Sequence, residues 1–291
     1  RNVLIGSAAL LASTGVNLAV GLALAALLAR YFTPDEFGLW SILISLNGVL
    51  LTGFDFGFGN TLRNRMARFY ATRNDAENRV CFLAVFYWFL LSAVVLSAVF
   101  FAIRPCIDWG LLFKASDPTL VETGAGLLVL GASILSFNIA FNLYTAGFFS
   151  YQESHWNALA SGLSRILLLS LVLLCVLSLQ GFFLINLLTF LVTLLCSIGA
   201  FLFFLAVRKW PVTLLSPGSI WSRVREMWIQ SAQFAFLQIF STFLLMADLF
   251  VVSRILGLET VGEYFLVKRL YLVLASLHFA FLLPLWSAYT E

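Results

Sequence analysis

Two stretches of the chain read almost as copies of each other: 29-ARYFTPDEFGLWS-41 and 253-SRILGLETVGEYF-265. Each joins two long apolar runs through a short polar turn, as a helical hairpin does. A shift of 224 positions, without a gap, aligns Arg30 with Arg254, Asp35 with Glu259, Gly38 with Gly262 and Trp40 with Tyr264. Because apolar residues match easily in such a chain, these charged, glycine and aromatic positions carry the comparison. They predict a duplicated unit.

The composition excludes a water-soluble protein. Hydrophobic residues make up 62% of the 291 and charged residues 11%, and the mean hydropathy is +0.99. Soluble domains are about half apolar and about a quarter charged, so lipid must cover much of this surface. The net charge of only +3 gives no indication of nucleic-acid binding.

Nothing in the sequence predicts a metal or another cofactor. The two histidines, His155 and His278, are isolated in the sequence. The cysteines have no metal-ligand spacing and are interpreted as free thiols; they are Cys81, Cys106, Cys175 and Cys196.

Eight apolar runs are long enough to cross a bilayer, which requires about 20 residues per helix. Uninterrupted runs of this length must be helices, because backbone groups in lipid need partners within the same segment. The fold class is therefore all-α: a polytopic membrane bundle with eight transmembrane helices. The runs are 3–29, 37–58, 80–103, 120–149, 156–179, 182–207, 229–253 and 261–284.

The distribution of lysine and arginine gives the orientation. With the N-terminus inside, the inner segments hold ten of the seventeen basic residues and the outer segments four, while three lie inside helices. Because cytoplasmic loops carry the excess of positive charge, the N-terminus is predicted to lie in the cytoplasm.

The repeat divides the chain. Helix 7 would lie an even number of helices after helix 1, so the two copies run in the same direction, which is the parallel repeat found in two-lobed transporters. Residues 1–209 form a six-helix lobe, 210–228 an amphipathic cytoplasmic linker, and 229–291 the first two helices of a second lobe. The end at Glu291 is therefore expected to be a truncation, with the missing helices ending near residue 431.

Three stretches resemble the oligosaccharide (Wzx-type) flippases of the MOP superfamily: ARYFTPDEFGLWS, FDFGFGNTLRNRMARF and PLWSAYTE. The resemblance implies a multi-pass protein of the bacterial inner membrane, with roughly twelve to fourteen helices in a two-lobe, MATE-like plan. It implies a protein that flips an undecaprenyl-pyrophosphate-linked oligosaccharide from the cytoplasmic to the periplasmic leaflet, for surface polysaccharide biosynthesis. The partners it implies are this lipid-linked cargo, membrane lipids and other polysaccharide-assembly proteins.

Charged residues inside the membrane are costly and point to function. Asp248 lies ten residues before the loop centred near 258, and Lys268 lies ten residues after it. At 1.5 Å per residue the two side chains reach the same depth, so Asp248 is predicted to pair with Lys268 or Arg269. One cation is then left over.

Polar residues follow one face of each of these two helices. Gln238 and Asp248 share a face of helix 7, and Lys268, Tyr271 and His278 share a face of helix 8. The functional interpretation is a cationic cavity for a pyrophosphate or an acidic sugar. The alternative is a charge pair that only locks the two helices together.

The first lobe contributes further candidates for the cavity. Arg165 lies near the middle of helix 5, where it either pairs with Asp55 or Glu153 or faces an anionic cargo. Asn142 in helix 4 either lines the cavity or makes an interhelical hydrogen bond. Asp248 or Asp55 is a candidate to carry a coupling proton or Na⁺.

Two other functions, a multidrug exporter and an enzyme, fit the sequence less well. A cation-coupled multidrug exporter of the MATE branch shares the two-lobe plan, but it should offer an acidic cavity, whereas basic residues outnumber acidic ones here. An enzyme needs a cluster of catalytic groups. The outer loops, which include 30–36, 180–181 and 254–260, are short and contain no such cluster. We therefore do not expect an enzyme.

Overall fold

The computed structural model of the chain describes residues 2–113 and 117–271, and all regular structure within these ranges is helical. The predicted all-α membrane bundle is confirmed. The helices are α1 (Asn2–Tyr31), α2 (Pro34–Phe54), α3 (Phe58–Ala71), α4 (Asp75–Ile103), α5 (Trp109–Phe113), α6 (Pro118–Phe141), α7 (Tyr144–Ser150), α8 (Ser154–Leu177), α9 (Phe182–Arg208), α10 (Pro217–Leu256) and α11, which covers 258–271 as far as it is described.

The described residues contain six segments that are long and apolar enough to cross a membrane: α1, α4, α8, α9, α10, and the span formed by α6 and α7 together. The other two predicted spans correspond to α2, of 21 residues, and to α11. The total of eight transmembrane helices stays a prediction. We call the end of the bundle that contains the turns at 32–33 and 257 the hairpin end. The opposite end, with the turns at 72–74 and 209–216, is the basic end.

The predicted run 120–149 is not one continuous helix. It breaks after Phe141 into α6 and the short α7. The carbonyl of Asn142 accepts hydrogen bonds from both the backbone N–H and the hydroxyl of Thr145, at 3.0 and 2.9 Å. These three-residue bonds replace the α-helical pattern locally, so the helix is interrupted here near the basic end.

The boundary expected at residue 229 also differs from the structure. Helix α10 begins at Pro217 and runs for 40 residues, so most of the predicted linker 210–228 belongs to it. Pro217 suits the first turn of a helix, and the side chain of Ser216 caps it by accepting from the Ser219 N–H. The division of the chain into lobes at 209 stays a prediction.

Two hydrophobic cores lie at different levels of the bundle. The core at the hairpin end is mainly aliphatic and joins α1, α2, α6, α8 and α9 with the start of α11. The core at the basic end is rich in aromatic rings from α3, α4, α7 and α9. There the Phe86 and Phe201 rings stack with their centroids 4.6 Å apart.

The two similar hairpins contact each other at the hairpin end. A β-carbon on Gly38 would collide with the backbone carbonyl of Leu258, and one on Gly262 would lie 2.8 Å from Phe37 Cδ1. Phe265 packs edge-on against Trp40, with centroids 5.4 Å apart. The two glycines that align in the repeat therefore permit the close approach of the two hairpins.

Ion pairs fasten α10 to the first helices at the basic end. Arg65 in α3 pairs with Glu226 at 3.1 Å, and Glu77 in α4 pairs with Arg223 at 2.5 Å. Nearby, the Tyr151 hydroxyl donates to the Asp75 carboxylate at 2.5 Å. Burial, together with this hydrogen bond, raises the pKa of Tyr151, so the phenol keeps its proton and remains a donor.

Candidate functional site

Asp248 and Lys268 form the ion pair predicted from their depth. Lys268 Nζ lies 2.5 Å from Asp248 Oδ1, and the Tyr264 hydroxyl donates to Asp248 Oδ2 at 2.7 Å. Tyr264 is one turn before Lys268 on α11, so both reach the same carboxylate on α10. The predicted pairing of Asp248 is confirmed, and it is made with Lys268 rather than with Arg269.

The guanidinium of Arg269 lies against α1 instead. A β-carbon on Gly21 would come within 2.7 Å of Arg269 Nη2, so the missing side chain at this position gives Arg269 its space. The same guanidinium lies 5.3 Å from the ring centroid of Phe265. Arg269 therefore occupies a niche formed by a glycine and an aromatic ring.

Arg165, on α8, lies at the same depth of the bundle as the guanidinium of Arg269. Helices α1 and α8 pack together and run in the same direction, and Asn17 in α1 donates to the Ser161 hydroxyl at 3.1 Å. One turn further along, Gly21 is level with Arg165. Because the Arg269 guanidinium lies against Gly21, the two arginines lie at the same depth of the bundle. We call these two residues the arginine pair.

Neither carboxylate expected to neutralise Arg165 does so. Glu153 pairs with Arg208 instead. Asp55 accepts from the Gly59 N–H at 3.0 Å and from the Gln238 amide at 3.4 Å. The expectation of a counter-charge from Asp55 or Glu153 is wrong because both lie near the basic end, whereas Arg165 lies mid-helix. Within 2–113 and 117–271, no ion pair forms with Arg165 or Arg269.

The arginine pair lies close to the middle of the predicted membrane. Gly21 is ten residues from the end of α1 at Tyr31, and Arg165 is twelve from the end of α8 at Leu177. At 1.5 Å per residue these are depths of about 15 and 18 Å, about half of a 30 Å hydrocarbon core. Two like charges at this depth are costly and would be stabilised by an anion.

A separate polar cavity of about 370 Å³ opens at the basic end, among α3, α6, α7 and α10. We call it the amide pocket, because amide side chains dominate its polar wall. Three predicted site residues meet here: Gln238, Asn142 and Asp55. Its wall consists of Asp55, Gly59, Asn60, Arg63, Asn138, Ile139, Asn142, Leu143, Thr145, Ala146, Phe149 and Gln238.

Sequence reasoning missed Arg63 as a site residue, because it counted Arg63 among the basic residues that set orientation. In the structure its guanidinium lies over the Phe149 ring, 4.4 Å from the centroid, and burial lowers its pKa. The amphipathic spacing of α3, with Leu62 and Met66 buried, indicates a helix packed on the bundle. That spacing was the available signal.

Asn138 also lines the amide pocket, and more than nine-tenths of its surface is buried. Its Oδ1 and the Oε1 of Gln238 find no hydrogen-bond donor in the part of the chain that the structure describes. Buried amide oxygens without donors are unfavourable. Two residues of the pocket wall therefore carry buried acceptors without a donor in the described residues.

The chain matches the family described as "Polysaccharide biosynthesis protein" over residues 3–284. It belongs to this family. The members are Wzx-type flippases and polysaccharide transporters of the MOP superfamily, so the predicted family is confirmed. No curated protein and no solved structure matches the chain significantly.

As a member of the polysaccharide biosynthesis protein family, the chain is a multi-pass membrane protein with a role in polysaccharide transport. The predicted site residues fall into three groups: the Asp248–Lys268 pair, the arginine pair and the amide pocket. Tyr271 belongs to none of them, since its side chain is exposed at the end of the described part of α11. His278 lies outside the described residues.

Proposed function

We propose that the protein flips an undecaprenyl-pyrophosphate-linked oligosaccharide from the cytoplasmic to the periplasmic leaflet of the bacterial inner membrane. The basic end then faces the cytoplasm, with the N-terminus. The observation that carries this proposal is the arginine pair, at mid-depth and without an ion pair in the described ranges. Guanidinium groups bind phosphate oxygens through paired hydrogen bonds, and a pyrophosphate would offset their mutual repulsion.

The movement is alternating access. The pyrophosphate and sugars enter from the basic end and the polyprenyl chain stays in lipid. The lobes then rock and release the head group at the hairpin end. The Asp248–Lys268 pair holds α10 to α11 during this motion. The arginine pair disfavours the cationic cargo of a multidrug exporter of the MATE branch, since like charges would meet at the middle of the path.

The test of the cargo is the double variant Arg165→Ala/Arg269→Ala in the full-length protein. We expect surface polysaccharide to fall at least tenfold, while the lipid-linked oligosaccharide accumulates inside and the amount of protein in the membrane stays normal. The matched control, Arg68→Ala/Lys209→Ala, also removes two cations, but from exposed positions at the basic end. Normal polysaccharide output from the arginine double variant, or export of a cationic dye by the wild type, would overturn the proposal.

Asp55 is the better placed of the two candidates for ion coupling. The Asp248 carboxylate is held by Lys268 and Tyr264, whereas Asp55 accepts hydrogen bonds only from a backbone N–H and an amide within the described residues. Asp55→Asn keeps the size of the side chain and removes its charge. We expect transport into vesicles by this variant to lose its dependence on the proton or Na⁺ gradient. If transport by Asp55→Asn still depends on the proton or Na⁺ gradient, Asp55 does not carry the coupling ion.

A further inference from the structure

We infer that the amide pocket binds an uncharged sugar unit of the cargo, while the arginine pair holds the pyrophosphate. The inference rests on the proposed function and divides the cargo between two places in the bundle. It starts from the shape of the pocket, which at about 370 Å³ falls in the range of small-molecule sites, about 300–1,000 Å³.

The hydrogen-bonding groups of the pocket suit hydroxyls. An amide offers two donors and an acceptor, and a hydroxyl is both donor and acceptor. Four of the lining residues carry amides: Asn60, Asn138, Asn142 and Gln238. The wall also contains two buried amide oxygens without donors, Asn138 Oδ1 and Gln238 Oε1. Sugar hydroxyls can both donate to and accept from the amides of such a wall, whereas phosphate oxygens only accept.

The charges of the pocket balance. Asp55 contributes one negative charge and Arg63 one positive charge, and its other lining residues are uncharged. The arginine pair, in contrast, brings two positive charges together. A neutral ligand is therefore favoured at the amide pocket and an anion at the arginine pair. The apolar part of the wall, which includes Ile139, Leu143 and Phe149, suits the C–H faces of a sugar ring.

The distance between the two places fits one extended cargo. Gln238, in the pocket, lies ten residues from Asp248 on the continuous helix α10, which is about 15 Å along the helix axis. Asp248 is held to Lys268, the neighbour of Arg269 in the sequence. Gln238 lies eighteen residues, or about 27 Å, before the end of α10 at Leu256, whereas the arginine pair lies about 15 to 18 Å from the hairpin end. The pocket is therefore about 10 Å nearer the basic end than the pyrophosphate site. Sugars attached to that pyrophosphate extend in this direction when the cargo comes from the cytoplasm.

The test measures sugar binding without the lipid or the phosphate. The probe is the repeat-unit oligosaccharide released from the strain's own surface polysaccharide, and saturation-transfer NMR on the full-length protein in nanodiscs gives its affinity. We expect Asn142→Ala and Asn138→Ala each to weaken binding about tenfold, the loss of one or two hydrogen bonds. Asn142 is exposed, so its variant should fold even if the Asn138 variant does not. Asn64→Ala, an exposed asparagine of α3 outside the pocket, is the matched control and should bind normally.

If Asn138→Ala and Asn142→Ala both bind the free oligosaccharide with wild-type affinity, the amide pocket does not bind a sugar and the inference is wrong. Equal weakening by Asn64→Ala would overturn it as well, because the effect would not be specific to the pocket. If these variants bind normally while Arg165→Ala/Arg269→Ala stops polysaccharide output, the pocket assignment fails and the proposed function stands. If they bind weakly while that double variant exports normally, the pocket holds a sugar and the proposed function fails.

Discussion

Lys268 and Arg269 are adjacent cations on one helix, yet they lie in opposite surroundings. Lys268 faces α10, where the Asp248 carboxylate lies at 2.5 Å, and Tyr264, one turn earlier on α11, shares that carboxylate. Arg269 faces α1, where it lies against Gly21, at the same depth as the like charge of Arg165. One step along an α-helix turns the side chain by about 100°, so neighbours in sequence point at different helices.

The difference separates a structural cation from a binding one. A paired charge at this depth stabilises the bundle only as long as both partners are present. The arginine pair makes no such contribution, because two like charges in low dielectric repel each other. Variants of the two residues should therefore affect different quantities: stability for Lys268 and anion binding for Arg269.

The largest effect should come from Lys268→Met. This change leaves the half-buried Asp248 carboxylate without its ion pair, which costs up to about 3 kcal/mol. The free energy of unfolding, measured by titrating the purified full-length protein with SDS in mixed micelles, should fall by that amount. Arg269→Met removes a charge of the same sign one residue later and should leave this free energy unchanged or raise it.

The control for Lys268→Met is the double variant Lys268→Met/Asp248→Leu, which removes both charges. A neutral pair of similar volume is often as stable as the ion pair it replaces, so most of the lost stability should return. Equal losses for Lys268→Met and Arg269→Met would contradict the comparison, because the two cations would then have the same role.

A smaller effect is expected from Gly21→Ala, which acts on Arg269 through its niche. The new methyl would lie 2.7 Å from Arg269 Nη2 and must displace the end of that flexible side chain. We expect the affinity for inorganic pyrophosphate to fall about tenfold, or about 1.4 kcal/mol. Stability should change little, since alanine in place of glycine favours a helix by up to about 1 kcal/mol.

Gly15→Ala provides the matched control on the same helix. A β-carbon on Gly15 has nothing within 4 Å, so this variant tests the change in helix propensity alone. Its affinity for pyrophosphate, measured by titration calorimetry, should equal that of the wild type. If Gly15→Ala and Gly21→Ala reduce this affinity equally, the niche around Arg269 does not position the guanidinium.

Features that depend on distance along the chain could be predicted from the sequence. That Asp248 pairs with Lys268 or Arg269 followed from counting residues on either side of a turn, because the rise per residue of a helix is fixed. The helical class followed from apolar length, because backbone groups in lipid must pair within their own segment. The close contact of the two hairpins explains the repeated glycines but was not itself predicted.

Features that depend on rotation about a helix, or on one residue's local hydrogen bonds, could not be predicted in the same way. The sequence predicted that Arg165 lies mid-helix and that Asp55 or Glu153 could be its partner. In the structure both carboxylates make other contacts. The sequence did not show that the bonds around Asn142 break the run 120–149. That break separates α6 from α7 where they line the amide pocket.

The sequence by itself determined that the chain is a helical membrane protein, how deep its charges lie, and which hairpin it repeats, because these follow from composition, spacing and a constant helical rise. Only the tertiary structure decided which charges meet. In the structure Asp248 pairs with Lys268, and Arg269 lies against Gly21 at the depth of Arg165. Gln238, Asn142 and Asp55 line one cavity. The physical reason is that partners are selected by how helices are rotated and packed against each other, and residues far apart in the chain set that packing together.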